Sequence, residues 1–425
     1  MRSKKAQDFL FKHGMLPESI VPYEIALKMC EKMRYGLANT DGILPMIPTY
    51  LSGEGAIYDG ATAIVIDAGG TNFRSALVTF SGGGYKIDRL EKKPMPGISA
   101  PVTWDEFISF ITDAIMPLTP YSDCIGFCFS YTADIMPDID GRVVRIDKEV
   151  VVTGCEGQYI GASLKAELAK RGVFGKSVVI LNDTAAVLLG GSSLLDKSKY
   201  GGFIGQVSGT GTNTCCIVPR NDVTKTDGGD GSMIINIESG LFDDVPRGEF
   251  DIELDKCSNN PGMKLLEKMT AGVYIGKLVR IMLLAAADEG YISAGVKDAL
   301  ASLGVFDAAL PDMWSCGEGL DTITDNADDA SFVRELSLAA FERSALCMCA
   351  NLTAILMLTG EGKDPAHPVC VCAEGSLVQK SRRYLPMLNA FLKSCAGEQL
   401  ARHVVIRLGS DTTLLGSAAA AILNK

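Results

Sequence analysis

The chain contains one short unit twice, and this duplication limits the folds that are open to it. In each copy an apolar, β-branched run is followed by a glycine turn, a Thr-Asn pair and a second apolar run. The copies are Ala63–Phe80 and Gly202–Val218, and their Thr-Asn pairs lie 141 positions apart (212 − 71). Strand, tight turn and strand predict a β-hairpin rather than the strand-to-helix turn of a phosphate loop. Two such hairpins predict two related α/β lobes that face one another, with chance similarity of two glycine turns as the alternative.

The charge balance excludes several classes of partner. The 425 residues include 40 Lys+Arg and 51 Asp+Glu, a net charge of −11, whereas nucleic acids and anionic membranes attract surplus Lys and Arg. The most apolar windows, Ile281–Ala287 and Ala345–Leu358, are shorter than the roughly 18 residues of a membrane-spanning helix. Met1–Gly14 lacks the continuous apolar stretch of a secretory signal. We therefore expect a cytoplasmic protein without nucleic-acid or membrane partners.

Cysteine is unusually frequent, with thirteen residues in the chain. No CxxC pair occurs and the three histidines are isolated, so the sequence disfavours a structural zinc site and predicts no metal-ligating residues. In strand-like runs such as Val369–Ala373, cysteine is best interpreted as a small buried hydrophobe in a reducing compartment. A redox function is the alternative.

Helices are predicted where apolar residues recur every three to four positions. Tyr23–Leu37 has the pattern of a helix with one exposed face. Asn260-Pro261 offers an N-cap and a proline at the first position of a helix that continues through Leu283. Ser331–Leu358 predicts a long amphipathic helix, which the polar pair Glu342-Arg343 interrupts.

The first glycine turn is a candidate phosphate-binding loop. The Gly69-Gly70 pair lets the backbone turn tightly, so that successive N–H groups can point at phosphate oxygens. The Thr71-Asn72 pair adds side-chain donors, and Arg74 adds positive charge. Asp67, at the end of the preceding strand, can hold Mg²⁺ through water. The alternative is a hairpin with an ordinary Asp/Gly/Asn turn.

A second candidate is Asp183, which follows the apolar strand Ser177–Leu181. A carboxylate at the end of a strand, before small residues that open a helix, is a usual position for a catalytic base. The alternative is that Asp183 only caps the helix.

The succession of motifs along the chain resembles that of the eukaryotic-type hexokinases. The best matches are Ile66–Arg74 and Asn260–Met269, which continues as Ala271–Arg280; Leu44–Tyr50 and Ala373–Leu377 also look like the family. The resemblance covers nearly the whole chain, and the combined motifs are highly specific.

This resemblance implies an α/β fold of two actin-like, ribonuclease H-like lobes around a central sugar and nucleotide cleft. Residues 1–181 would form the smaller N-terminal lobe and residues 182–425 the larger C-terminal lobe. An N-terminal helix would pack on the larger lobe, and the last helix would return to the smaller one.

The resemblance also implies the activity of a hexokinase, in which ATP and Mg²⁺ serve to phosphorylate the 6-hydroxyl of glucose or a similar hexose. The protein would be a monomer or a homodimer. Asp183 would be the general base that takes the proton of that hydroxyl. The residues implied to bind the sugar are Ser130, Asp147, Lys148, Asn182, Asn213, Glu238, Lys264 and Glu267. Those implied to face the nucleotide are Asp67, Gly69, Gly70, Thr71, Asn72, Arg74, Gly209 and Thr210, with Gly272, Gly375 and Ser376 nearer the nucleoside.

Several positions depart from the family pattern. Asp147 replaces a threonine, Lys264 a glutamine, Ser239 a tryptophan, and Tyr131 a proline-containing pair; Gly409–Gly416 replaces a glycine-rich turn near the nucleotide. Two alternatives therefore stay open: a catalytically weak sugar-binding regulator, and a hexose kinase that uses another phosphoryl donor. Retention of the base favours an enzyme, because a sensor has no need of one.

Overall fold

The computed structural model describes residues 2–146, 150–304 and 306–424, and its β-strands form two large mixed sheets. The strands are β1 (Ile47–Pro48), β2 (Thr62–Gly69), β3 (Asn72–Ser81), β4 (Gly84–Pro94), β5 (Val102–Thr103), β6 (Cys124–Phe129), β7 (Thr132–Ile135), β8 (Gly141–Arg145), β9 (Val152–Thr153), β10 (Ser177–Leu181), β11 (Gly202–Ser208), β12 (Thr212–Pro219), β13 (Ser232–Asn236), β14 (Val369–Glu374) and β15 (Val404–Leu408).

Helices cover both sheets. They are α1 (Lys4–Lys12), α2 (Pro22–Ala38), α3 (Trp104–Ile115), α4 (Ile160–Lys170), α5 (Asp183–Ser193), α6 (Glu249–Lys256), α7 (Leu265–Thr270), α8 (Gly272–Asp288), α9 (Ala294–Ser302), α10 (Ala309–Ser315), α11 (Ala327–Thr359), α12 (Ser376–Lys380), α13 (Tyr384–Leu392) and α14 (Thr412–Leu423).

The two large sheets share one strand arrangement. The five-stranded sheet has the order β10-β6-β2-β3-β4, and the six-stranded sheet has the order β1-β13-β12-β11-β14-β15. In each sheet an antiparallel hairpin, β2–β3 or β11–β12, has a third antiparallel strand on one side. Two parallel strands lie on the other side, β6 and β10 or β14 and β15. The predicted hairpins and the two-lobe α/β architecture are therefore confirmed, and the duplication extends beyond the hairpins to whole sheets.

Helices α5 and α14 hold the two sheets together. Helix α14 packs on β2 and β6 of one sheet, α5 packs on β11 and β14 of the other, and the two helices pack on each other. Where they meet, a Cβ on Gly416 would lie 1.9 Å from the carbonyl oxygen of Ala186, and a Cβ on Gly190 would lie 2.2 Å from that of Thr412. Only glycine permits this approach. The N-terminus of α5, which begins at Asp183, is thereby fixed between the lobes.

The N-terminal helices α1 and α2 pack on α11, on the side of the six-stranded sheet, and α2 confirms the helix predicted over Tyr23–Leu37. Helix α11 is continuous, so the predicted interruption at Glu342-Arg343 is wrong. Arg343 is 1% exposed and forms an ion pair with Asp251, which is also buried. The helix can bury this charge because a partner from α6 neutralises it.

The predicted helix start at Asn260-Pro261 is also wrong. Helix α7 begins at Leu265, and extended backbone at Ala271 separates it from α8. The segment before α7 forms a turn instead, because the Gly262 N–H donates to the two carboxylate oxygens of Asp255 at 3.0 and 3.1 Å. The Asp255 side chain, seven positions before Gly262, therefore overrides the capping signal of Asn260-Pro261.

Among the described residues, α11 alone has the length and apolar composition that a membrane-spanning helix needs. Of its most apolar 18-residue window, 78% is buried inside the protein. The helix therefore has the environment of a core helix.

Candidate functional site

Asp183 begins α5 immediately after β10, and its neighbour Asn182 caps the helix. The side-chain oxygen of Asn182 accepts a hydrogen bond from the Ala185 N–H at 3.1 Å. The interpretation of Asp183 as the cap is therefore wrong, and its carboxylate accepts a hydrogen bond from the Thr184 hydroxyl at 3.1 Å.

The negative charge of Asp183 contributes to the raised pKa of Asp67 in one lobe and of Glu238 in the other, although burial is the main cause of both shifts. Asp183 therefore lies within electrostatic range of both lobes.

Three polar side chains of the six-stranded lobe form one hydrogen-bonded cluster. The Asn213 amide nitrogen donates to the Asn236 side-chain oxygen at 2.8 Å and to Glu238 Oε1 at 3.0 Å. The Asn236 amide nitrogen donates to the same Glu238 oxygen at 2.8 Å. Both bonds to Glu238 go to Oε1, so with respect to the described side chains Glu238 Oε2 is left for another donor, such as a ligand hydroxyl. Asn236 was not predicted to bind the sugar, and the sequence signal for it was a polar residue at the end of an apolar strand.

Glu267, on α7, lies beside this cluster. Its Oε2 accepts a hydrogen bond from the Thr212 N–H at 3.1 Å, and its Oε1 lies 3.7 Å from the Lys264 ammonium. The ion pair between Lys264 and Glu267 agrees with their three-residue spacing. The structure thus brings together the predicted sugar residues Asn213, Glu238, Lys264 and Glu267. Asp147 and Lys148 lie outside the described residues.

Ser130 follows β6 and lies against the first glycine turn. Its N–H donates to the carbonyl oxygen of Ala68 at 3.1 Å, and a Cβ on Gly69 would lie 3.0 Å from its hydroxyl oxygen. The next residue, Tyr131, donates its hydroxyl hydrogen to the carbonyl oxygen of Gly70 at 2.9 Å. Sequence reasoning did not include Tyr131 in the site, although its departure from the family pattern was a signal.

Arg74, which was predicted to face the nucleotide phosphates, forms hydrogen bonds with other side chains of the protein. Its Nε donates to Asp67 Oδ2 at 2.8 Å, and its Nη2 also contacts that oxygen and donates to the Thr413 hydroxyl at 2.8 Å. Burial raises the pKa of Asp67, and the charge of Arg74 opposes this shift. The Thr71-Asn72 pair at the tip of the hairpin is more exposed. The turn itself therefore presents the donors nearest to solvent.

The predicted nucleotide residues of the other lobe converge at one place. The Gly272 N–H donates to the Gly209 carbonyl oxygen at 2.8 Å, and a Cβ on Gly209 would lie 3.3 Å from the Ser376 nitrogen. Gly375 has φ +124°, and a Cβ there would lie 2.3 Å from the Ser208 carbonyl oxygen. Glycine is required at Gly375 on both grounds. Thr210 is exposed at the adjoining turn.

The altered segment Gly409–Gly416 lies beside these residues. The Gly409 N–H donates to the Ala373 carbonyl oxygen at 3.0 Å, and its own carbonyl oxygen accepts from Gln379 Nε2 at 2.6 Å. From Thr412 onward the chain is helical, and Leu414 and Leu415 are buried in the core. Only Gly409–Asp411 can therefore serve as a loop near a nucleotide.

No group of three or more His, Cys, Asp or Glu side chains that could hold a metal ion occurs in the part of the chain that the structure describes. The Asp67 carboxylate lies beside the glycine turn, and the charge of Asp183 acts on it. This donor set fits a Mg²⁺ that keeps most of its ligands from phosphate and water, as that ion does with nucleotides.

Two family models, both described as hexokinase, match this chain over residues 15–193 and 203–423. "Hexokinase HKDC1" of Homo sapiens is 26% identical over 406 residues, which cover 88% of this chain but 43% of the human protein. The chain thus spans less than half the length of the first relatives that it matches. "Hexokinase-1" of Oryza sativa subsp. japonica is 27% identical, with 93% of this chain and 86% of the rice protein covered. "Hexokinase-1" of Schizosaccharomyces pombe is 26% identical, with coverage of 97% and 89%.

Solved structures show the same fold at low identity. A hexokinase from Schistosoma mansoni complexed with glucose has a TM-score of 0.75 and 24% identity, and the match covers 98% of this chain and 99% of the other. Another structure, described as a hexokinase, has a TM-score of 0.82 and 19% identity, with coverage of 99% and 100%. The match to a ROK family glucokinase from Streptomyces griseus has a TM-score of 0.50 at 16% identity, and it covers 85% and 99% of the two chains.

Proposed function

Because the chain belongs to the hexokinase family of sugar phosphotransferases, we propose that it transfers the γ-phosphoryl group of ATP to the 6-hydroxyl of glucose or a related hexose. The observation that carries this proposal is the position of Asp183. It lies within electrostatic range of the polar cluster of one lobe and of the aspartate beside the glycine turn of the other. A sugar held by the cluster and a phosphate held at the turn would meet beside this carboxylate.

In this proposal Asp183 accepts the proton of the attacking hydroxyl. A general base must lie within hydrogen-bond reach of the proton that it removes. Asn182 supports this role by capping α5, which leaves the Asp183 carboxylate available. The contact between α5 and α14 fixes the start of the helix, so the base keeps its position.

The sugar is proposed to bind between Ser130 of one lobe and the cluster of the other. Carboxylates and amides discriminate between hydroxyl orientations because their hydrogen bonds are directional. The Glu238 carboxylate belongs to the cluster, and that of Glu267 lies beside it. All polar atoms of the Asn213 amide, by contrast, already have partners in the protein. We therefore assign Asn213 to positioning Glu238, and its contact with the sugar stays a proposal from sequence. The sugar roles of Asn182, Asp147 and Lys148 remain proposals from sequence.

The nucleotide is proposed to lie along the two glycine turns. The Thr71-Asn72 pair and Thr210 would donate to its phosphates, and Gly272, Gly375 and Ser376 would lie nearer the nucleoside. Bound Mg²⁺-ATP supplies the phosphoryl group and the cation that neutralises its charge. Asp67 would contact the hydrated Mg²⁺, and the Arg74 side chain would hold Asp67 in place.

A coupled assay tests the proposal. The purified chain is given a panel of hexoses with ATP, GTP or pyrophosphate as donor, and phosphorylated sugar is measured. We expect turnover of glucose or a close relative with Mg²⁺ and a nucleoside triphosphate. Sugar binding without turnover would instead support the regulator, and turnover with pyrophosphate alone would support the other donor.

We also propose a cytoplasmic location. All thirteen cysteines are free and most are buried, which suits a reducing compartment. Localisation of a tagged chain in its native cell tests this proposal.

A further inference from the structure

Lys264 places a positive charge at the edge of the polar cluster. Its ammonium lies 3.7 Å from Glu267 Oε1, and its side chain is 43% exposed. Its charge also lowers the pKa of Glu238, against the larger effect of burial. Lys264 therefore acts on both carboxylates that the cluster offers to a ligand.

The backbone holds Lys264 in a specific conformation. Both Lys264 and Glu238 have left-handed backbone, with φ of 53° and 57°, which costs free energy for residues other than glycine. Lys268, which is almost fully buried, donates its ammonium hydrogens to Asp255 at 2.5 Å and to the Asn260 carbonyl oxygen at 2.8 Å. Together with the Gly262–Asp255 bonds, these contacts fix the turn that ends at Lys264. The charge is therefore held at the cluster by buried neighbours.

For the residues that the structure describes, the balance of charge around this site is negative. Besides burial, the charges of Asp183 and Glu267 raise the pKa of Glu238, and in the described part of the chain the ammonium of Lys264 opposes this effect. An acidic pocket attracts a cationic ligand, and each cation at its edge reduces that attraction.

We propose that Lys264 is a specificity residue that makes the sugar site favour neutral hexoses over cationic amino sugars. The inference rests on the proposed function, because it takes the cluster to be the hexose site. Repulsion by Lys264 lowers the affinity for a sugar that carries an ammonium group in place of a hydroxyl. The charge of Lys264 does not repel a neutral sugar, so the affinity for such a sugar is not lowered.

The test compares three sugars that differ at one carbon: glucose, 2-deoxyglucose and glucosamine. The measured quantity is kcat/KM of each sugar relative to glucose, at a pH near 6.5 so that the amine is charged, as amines of this type are below about pH 8. We expect Lys264→Gln to raise the glucosamine ratio by roughly three- to tenfold, the range for a partly exposed charge pair. The 2-deoxyglucose ratio should change by less than about twofold. Lys264→Arg should keep the wild-type ratios because it keeps the charge.

A control variant and ionic strength separate charge from shape. Lys165→Gln removes the same charge from an exposed position on α4 and should leave the ratios unchanged. High salt should raise the wild-type glucosamine ratio towards that of Lys264→Gln, since the Debye length falls from roughly 30 Å at 0.01 M to about 3 Å at 1 M. A purely structural role of Lys264 would not respond in this way.

The binding affinities of the same three sugars are also measured by calorimetry, so that the role of Lys264 can be tested without catalysis. If wild type binds hexoses but phosphorylates none, the proposed kinase function fails while the binding ratios still decide the role of Lys264. A glucosamine ratio that stays within twofold of wild type in Lys264→Gln would overturn the inference. An equal change in the 2-deoxyglucose ratio would overturn it as well, because the effect would then not depend on charge.

Discussion

The Tyr131 hydroxyl donates a hydrogen bond of 2.9 Å to the carbonyl oxygen of Gly70. This bond joins the segment that follows β6, where Ser130 lies, to the first glycine turn. The residue on the proposed sugar side and the turn on the proposed phosphate side are therefore held as one unit. Burial raises the pKa of the Tyr131 hydroxyl, with a further contribution from the charge of Asp67, so the hydroxyl stays protonated and able to donate.

Replacing Tyr131 with phenylalanine should weaken nucleotide use. The turn loses one hydrogen bond, usually about 0.5–1.5 kcal/mol, so we expect the KM for ATP to rise roughly two- to tenfold. Steady-state kinetics with varied ATP check this. Tyr159→Phe, which removes an exposed hydroxyl from the same lobe, should have no effect. Equal changes in both variants would contradict a role for the Tyr131–Gly70 bond.

Asp183→Ala should lower kcat by at least about a hundredfold, the usual contribution of a general base. Affinity for the sugar should fall far less, because several other groups hold it. The fold should persist, since Asn182 and not Asp183 caps α5. Turnover, sugar binding and thermal unfolding are measured on one sample. Near-normal turnover would remove Asp183 from this role, and global unfolding would show that it is structural.

Sugar affinity should depend on pH through Glu238. Burial raises the pKa of Glu238 above that of an ordinary glutamate, and the charge of Asp183 adds to this shift. The ionised carboxylate accepts hydrogen bonds from hydroxyl groups, so affinity should be full above the raised pKa and fall as the pH drops through it. Calorimetric titration at a series of pH values measures this. Glu238→Gln should bind the sugar more weakly, and its sugar affinity should no longer change with pH in this range. If the pH dependence of sugar affinity in Glu238→Gln equals that of the wild type, another group causes it.

A saturating hexose should bring the lobes together. Ser130 follows a strand of the five-stranded sheet, whereas Glu238 and Glu267 belong to the other lobe. A ligand drives closure when the closed state offers it more hydrogen bonds than the open state does. We expect sugar to reduce the radius of gyration in solution scattering, and Mg²⁺-nucleotide alone to have a smaller effect.

The variant Asn213→Ala tests whether the cluster is responsible for this closure. It should match the wild-type scattering without sugar and fail to contract at sugar concentrations that close the wild type. An unchanged wild-type profile at proven saturation would show that sugar does not close the cleft.

Arg343→Met should destabilise the protein by about 3–5 kcal/mol, the usual cost of removing one partner of a buried ion pair. Asp251 would remain buried without its cation, and burial already raises its pKa. Chemical denaturation measures the change. The matched control is Arg142→Met, which breaks an exposed ion pair with Asp134 and should cost less than about 1 kcal/mol. Similar losses in both variants would mean that burial of the Arg343 pair has little energetic effect.

Much of the fold could be predicted because its signals are local. Two apolar, β-branched runs and a glycine turn specify a hairpin whose hydrogen bonds join residues a few positions apart near the turn, as between Gly69 and Asn72. The repetition of this unit indicated two lobes, and the order of motifs indicated the family. The position of Asp183 after a buried strand marked it as a candidate without any tertiary information.

The sequence by itself determined the two hairpins, the α/β class, the family and most of the candidate polar residues. The tertiary structure decided that Asn182 caps α5, that the turn before Lys264 replaces a predicted helix start, that Arg343 is buried in α11, and that Tyr131 holds Gly70. In each case the outcome depends on which of several side chains forms a contact with a given backbone group or charged group. Arg343 and Asp251 are 92 positions apart, and Tyr131 and Gly70 are 61 apart. These two pairs form only when packing brings distant segments together, so no local pattern encodes them. The Asn182 cap and the turn before Lys264 depend instead on side chains three to eight positions away, and there several local contacts were open to the chain.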